Sequence, residues 1–117
     1  RDEKHLFVND TDHGHIRIFD VVDDGTLHNG RVWAELKTAG IGVADGMKID
    51  STGNVYSTGP GGIHIFDEDA TYLGIIHIPE QATNLAWGDS DLQSLHITAT
   101  TSIYRLRTLI PGHKPLG

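Results

Sequence analysis

The chain has no cysteine among its 117 residues, which excludes disulfides, thiolate metal sites and thiol nucleophiles whatever the compartment. Positive charge is scarce. Nine Lys and Arg stand against 16 Asp and Glu, a formal net charge of −7, and the nine form no basic cluster. Nucleic acid and anionic membrane surfaces both need a cationic face, so neither is expected as the main partner. Apolar runs are short, none nearing the ~20 residues of a membrane span, and Arg1-Asp2-Glu3-Lys4 does not open a signal peptide. The expectation is a soluble protein, with cytoplasm and periplasm both open. Stretches of helical period are few, while 14 glycines and closely spaced turns favour an all-β chain.

What the chain does have is a repeat. Gly14-His15-Ile16-Arg17-Ile18-Phe19-Asp20 recurs as Gly61-Gly62-Ile63-His64-Ile65-Phe66-Asp67, 47 positions on from Ile16 to Ile63. A looser copy, Ser102-Ile103-Tyr104-Arg105-Leu106, follows 40 positions later at Ile103. Repeats of roughly 40 to 50 residues built from several short strands signal propeller blades, which bury their faces against one another. A single domain of this size buries a modest core. A closed propeller needs about four blades or more, so three look like part of a ring.

The spacing predicts strands over 6–9, 15–21 and 31–36 in the first unit. The second unit has four, over 45–50, 54–58, 62–66 and 72–78, and the third has three, over 84–88, 95–99 and 103–107. The approximate blades are 1–39, 40–80 and 81–110 of one partial domain, 1–117. The first unit lacks an opening strand and the third a closing one. Their connections, such as Asp10-Thr11-Asp12-His13-Gly14 and Asp23-Asp24-Gly25-Thr26, carry the residues that tolerate tight turns.

In a propeller the first strand of each blade lines the central channel. Asp45 and Asn84 open the first strands of consecutive blades, and a carboxylate with an amide oxygen converging on one axis suits a hard cation. Asp and Asn also open strands in any β protein, so turn chemistry explains both residues as well. His13-Gly14-His15 beside Asp10 and Asp12 could take Zn²⁺, yet it sits in a peripheral hairpin, and scattered surface histidines are the simpler account. His64, His77 and His96 lie within strands and are expected to be structural. Asp20-Val21-Val22-Asp23-Asp24-Gly25 and Asp67-Glu68-Asp69 lack the terminal glutamate of a calcium loop and read as polar hairpins. Ser57 and Ser102 have no nucleophile-elbow context. Trp33 and Trp87 are expected to pack between blades.

Longer runs carry a resemblance. Leu6-Phe7-Val8-Asn9-Asp10-Thr11, Ala44-Asp45-Gly46-Met47-Lys48-Ile49-Asp50, Gly53-Asn54-Val55-Tyr56, the Gly61 to Asp67 unit, and Thr83-Asn84-Leu85-Ala86-Trp87-Gly88 followed by Leu95-His96-Ile97-Thr98-Ala99 closely resemble the gluconolactonase branch of the senescence marker protein / gluconolactonase / luciferin-regenerating enzyme family. The resemblance covers almost the whole chain in order. It implies about three four-stranded antiparallel blades from the C-terminal half of a six-bladed propeller, and hydrolysis of sugar lactones around a divalent metal in the channel. Calcium is the first choice, with magnesium, manganese or zinc as alternatives.

The resemblance also implies residue roles. The family holds its metal with a glutamate, a mid-chain asparagine and the aspartate of a Pro-Asp-Gly-Met segment. Only the last is matched, by Asp45, with Ala44 in place of proline. Asp45 is therefore the implied metal ligand and catalytic residue, and Asn84 the implied substrate-binding residue. With two ligands unmatched, the isolated chain is expected to be inactive. The rival reading is a non-catalytic half-propeller used for binding or assembly. The implied partners are a small lactone and a second copy of the chain, two arcs meeting edge to edge as a dimer that rebuilds the ring. The apolar faces expected to drive that meeting are those carrying Ile49, Val55 and Ile97.

Overall fold

The computed structural model describes residues 5–10, 14–22, 25–36 and 45–112, and among them every regular element is a strand. In chain order these are β1 (His5–Asp10), β2 (His15–Val21), β3 (Leu27–Glu35), β4 (Met47–Ile49), β5 (Val55–Gly59), β6 (Gly62–Phe66), β7 (Tyr72–His77), β8 (Ala82–Gly88), β9 (Ser94–Ala99) and β10 (Ile103–Arg107). They form three antiparallel sheets ordered β1-β2-β3, β4-β5-β6-β7 and β8-β9-β10. The middle sheet is a complete four-stranded blade. Among the described residues its neighbours have three strands each, with no counterpart of the inner β4 in the first and none of the outer β7 in the third. The expected boundary near residue 39 lies outside the described residues.

Tight local chemistry sets the hairpins. The Asp50 carboxylate, fully buried, accepts from the Thr52 and Asn54 backbone N–H groups at 3.0 and 2.9 Å and from both of their side chains, closing the turn between β4 and β5. Asp67 does the same between β6 and β7, accepting from the Asp69 and Thr71 N–H groups at 2.9 Å each. Its oxygen serves the backbone, as the polar-hairpin reading expected. Between β5 and β6 the chain turns through Gly59-Pro60-Gly61-Gly62. Gly62 has φ +150°, and a Cβ there would lie 2.0 Å from the Ile76 carbonyl oxygen, so only glycine lets β7 approach.

Stacking the sheets makes the core. Ile16, Leu36, Val55 and Phe66 are buried between the first and second sheets, where Trp33 meets Phe7 and Phe66 edge-on at centroid distances of 4.9 and 5.6 Å. Tyr56, Ile63, Leu95 and Ile97 are buried between the second and third, and Tyr56 meets Trp87 edge-on at 4.9 Å. Both tryptophans thus join neighbouring sheets, as expected. All five residues of β5 are buried because both of its faces are covered. At the far end, Gly112 pairs with Asp50 and abuts Trp87, tying the end of the third sheet back to the second.

One expectation is corrected. Val55 and Ile97 are 1% and 0% exposed and Ile49 is half-buried, because the arc's own neighbouring sheets cover them. The exposed apolar residues of the outer sheets' strands include Leu6, Val8, Leu27 and Val32 in the first sheet and Ile103 in the third.

Candidate functional site

Antiparallel pairing brings one end of each sheet's inner strands together. β4 and β8 pack side by side, with Asp45 two residues before β4 and Asn84 the third residue of β8, just past an irregularity in its pairing with β9. Both side chains are exposed at this end. Gly46 is the contact between them: a Cβ on it would lie 2.5 Å from Asn84 Oδ1 and 2.7 Å from Asn84 Cα. The two sequence-predicted residues are therefore neighbours across adjacent sheets. Asn84 Oδ1 also accepts from the Leu85 N–H at 2.9 Å, so its side chain has a local backbone role at this irregularity within β8, which opens at Ala82, with a second lone pair left on that oxygen.

Asp45 is held at both ends of its backbone. Its N–H donates to Thr58 Oγ1 at 2.9 Å, and the Gly46 N–H donates to the same oxygen at 3.0 Å. The Thr58 N–H returns a bond of 2.9 Å to the Gly46 carbonyl. From the first sheet, Asn9 Nδ2 donates to the Asp45 carbonyl at 3.1 Å, while Asn9 Oδ1 lies 3.3 Å from the Ser57 hydroxyl that donates to it. Sequence reasoning missed Asn9 and Thr58. A signal was there: Asn9, Thr58 and Thr98 pair with Ile16, Ile63 and Ile103, the three isoleucines of the repeat. Thr98 holds the same register position in the third sheet with the opposite polarity, its hydroxyl donating to the Asn84 carbonyl at 3.4 Å and lying 3.0 Å from the Thr83 hydroxyl.

The other histidines and acids belong elsewhere. His15 Nε2 lies 3.2 Å from Asp10 Oδ2 in the first hairpin, while His13 and Asp12 of that motif lie outside the described residues. Among the described residues no three His, Asp or Glu side chains gather as a metal cluster. A cleft of about 530 Å³, lined by Phe7, Arg31, Trp33, Ile49 and Glu68 among others, opens between the first and second sheets at the end opposite Asp45. The site at Asp45 and Asn84 thus offers oxygen donors only, on an exposed sheet end and a restrained backbone.

Residues 1–101 match the model of the SMP-30/Gluconolactonase/LRE-like region. A gluconolactonase of Zymomonas mobilis is 39% identical over 69 residues, 57% of this chain and 19% of that protein. A solved gluconolactonase from Xanthomonas campestris superposes with a TM-score of 0.80 at 32% identity, covering 94% of this chain and 35% of the other. A calcium-binding regucalcin from Agrobacterium tumefaciens gives a TM-score of 0.80 at 17% identity, over 96% of this chain and 44% of the other, a likeness of fold. The chain spans about a fifth of the length of the curated relatives it matches.

Proposed function

Because this chain belongs to the SMP-30/gluconolactonase/LRE-like family, we propose that it carries part of the active site of a divalent-metal-dependent hydrolase of sugar lactones. The observation that carries the reading is the meeting of Asp45-Gly46 with Asn84 at the opening of adjacent inner strands. The similarity to gluconolactonases supports the substrate class, and the likeness to a calcium-binding fold neighbour supports the choice of cation.

The donors fit a hard cation in kind: one carboxylate, one amide oxygen and no nitrogen or sulfur. Ca²⁺ takes six to eight oxygens at about 2.3–2.6 Å, so Asp45 would supply one part of its sphere and the remaining donors would come from beyond this pair. Calcium is the first choice, with magnesium, manganese and zinc as alternatives. When bound, such a cation supplies Lewis-acid polarisation of a carbonyl and a water of lowered pKa. Asp45 supplies the negative charge that retains the cation, held at its backbone N–H and C=O. Asn84, one sheet away, offers an amide that orients a lactone's ring oxygen or hydroxyls without adding charge. A lone carboxylate holds a divalent ion weakly, so the 117 residues alone should turn over slowly or not at all.

Ring opening of an aldonolactone, followed by proton release at controlled pH with and without chelator, tests the reading. In the intact protein, chelator and Asp45→Ala should each abolish turnover. Asn84→Ala should impair turnover more than cation affinity. Turnover that survives both chelator and Asp45→Ala overturns it. The bond from Leu85 N–H to Asn84 Oδ1 favours the rival, a non-catalytic module for binding or assembly. That module would bind cation no better than its Asp45→Ala variant and would open no lactone.

A further inference from the structure

The carboxylate of Asp45 sits on an exposed strand opening, where a side chain ordinarily samples several rotamers. Its backbone, in contrast, is fixed from two directions. Thr58 Oγ1 accepts from the Asp45 and Gly46 N–H groups at 2.9 and 3.0 Å, so two consecutive peptide planes point at one hydroxyl oxygen. Asn9, from the neighbouring sheet, donates to the Asp45 carbonyl at 3.1 Å, and its own Oδ1 lies 3.3 Å from the Ser57 hydroxyl, which also reaches the Thr58 carbonyl at 3.0 Å. The bonds from positions 13 and 36 residues away converge on Asp45 itself. Nothing about strand formation requires this, because Asp45 and Gly46 precede β4.

We propose that Thr58 and Asn9 are positioning residues that fix the direction in which Asp45 presents its carboxylate to the cation. The proposal rests on the reading of Asp45 as a metal ligand. It goes beyond that reading by locating the orientation in two side chains that touch neither cation nor substrate. The register supports a dedicated position: Asn9, Thr58 and Thr98 occupy equivalent places opposite Ile16, Ile63 and Ile103. Thr58 accepts from the two N–H groups that precede β4 in its own sheet, whereas Thr98 donates to the Asn84 carbonyl within β8, so the paired N–H acceptor is particular to Thr58. Asn9 reaches across to the next sheet instead, linking the geometry of Asp45 to the packing of the first sheet on the second.

Partners that orient a ligand typically contribute about 10- to 100-fold in metal affinity. Ca²⁺ titration of the intact protein by calorimetry, with Mn²⁺ followed by its electron paramagnetic resonance spectrum, reads the effect without turnover. Thr58→Val removes the acceptor and Asn9→Ala the donor, and each should weaken Ca²⁺ binding by about tenfold and broaden the Mn²⁺ spectrum. Thr58→Ser keeps the oxygen and should stay within about threefold of the parent. If Thr58→Val does not fold, Asn9→Ala and Thr58→Ser carry the test. Affinities within about twofold of the parent for Asn9→Ala and for any folded Thr58→Val, alongside an Asp45→Ala variant that has lost binding, would overturn the positioning role alone. An Asp45→Ala variant that binds like the parent overturns the metal reading, and this proposal with it.

Discussion

His64 is wholly buried in β6, and both ring nitrogens have partners: Nε2 lies 2.8 Å from the Pro60 carbonyl oxygen and Nδ1 lies 3.0 Å from the Tyr72 hydroxyl. A carbonyl only accepts, so Nε2 carries the proton and Nδ1 accepts from the tyrosine. Burial pushes the imidazole pKa below its ordinary value, outweighing the Pro60 carbonyl, which opposes it, and nearby His77 adds to the lowering. A histidine whose pKa is lower folded than unfolded binds its proton more readily when unfolded. Its contribution is complete above about pH 6.5 and declines as pH falls below that value. His64→Gln can still donate to Pro60 but does not titrate. Urea midpoints measured from pH 7.5 down to 5 should therefore fall less steeply in that variant than in the parent, and equal slopes would show that His64 is not the acid-sensitive group. Other buried or hydrogen-bonded groups serve the scaffold. Burial, and after it Asp50, pushes the Tyr56 phenol up to about 12. Glu80 is drawn down to about 2 by the Thr101 hydroxyl and then by the Tyr104 hydroxyl, which donates at 2.6 Å.

Strands were the most legible feature. β6 and β10 begin and end where apolar alternation and flanking turns place them, and β5, β7, β8 and β9 differ from the reading by one or two residues at an end. β3 and β4 are the exceptions: β3 starts four residues early, running Leu27–Glu35 against the expected 31–36, and β4 is reduced to Met47–Ile49 from the expected 45–50. Asp45 and Gly46 give their N–H groups to Thr58 Oγ1 in place of a ladder partner, and Asp50 closes the following turn. The contact between elements at this end leaves no room for a side chain. Gly46→Ala would press a methyl group against the Asn84 Cα and the Thr83 carbonyl oxygen, backbone atoms that cannot swing aside as the Asn84 amide can, so the β4 and β8 openings must separate. The expected outcome is a melting temperature several degrees lower, since about 1 kcal/mol moves Tm by roughly 4–8 °C in a domain of 60–100 residues, with Ca²⁺ affinity reduced as well. A variant matching the parent in both would show that the two openings can part without cost.

For the whole molecule, the telling feature is which faces remain uncovered. Ile16 and Ile63 occupy equivalent positions and are both fully buried against the next sheet, while Ile103, their counterpart in the third sheet, is 72% exposed because no described sheet follows it. Leu6 and Val8 are 43% and 40% exposed on the outer face of the first sheet. Among the described residues, β1 and β10 each have a strand partner on one side only. Open strand edges beside apolar faces favour pairing with another chain. We propose that the 117-residue chain, prepared alone, associates with itself through these two ends, two arcs forming a ring-like dimer with Asp45 contributed twice. Light scattering after size exclusion should show a dimer or larger species at micromolar concentration, and Val8→Lys with Ile103→Lys should shift it toward monomer. A folded monomer in the parent would overturn the assembly. So would a double variant that associates unchanged.

Local rules determined much of this protein before any fold was in view. Period-two alternation, Gly and Asp at the turns and a repeat of 40 to 47 residues specify an all-β arc and its three sheets, because strand and turn preferences act between residues close in the chain. Asp45 and Asn84 were legible because each falls within a recognisable run, although Asp45 lies two residues before β4 and Asn84 two residues inside β8. Tertiary structure alone decided that Val55 and Ile97 are covered, that Gly46 seats against Asn84, and that Asn9 and Thr58 hold Asp45. Those contacts depend on strand register and on how one sheet stacks on the next, and residues 36 or 48 positions apart meet only after both are set.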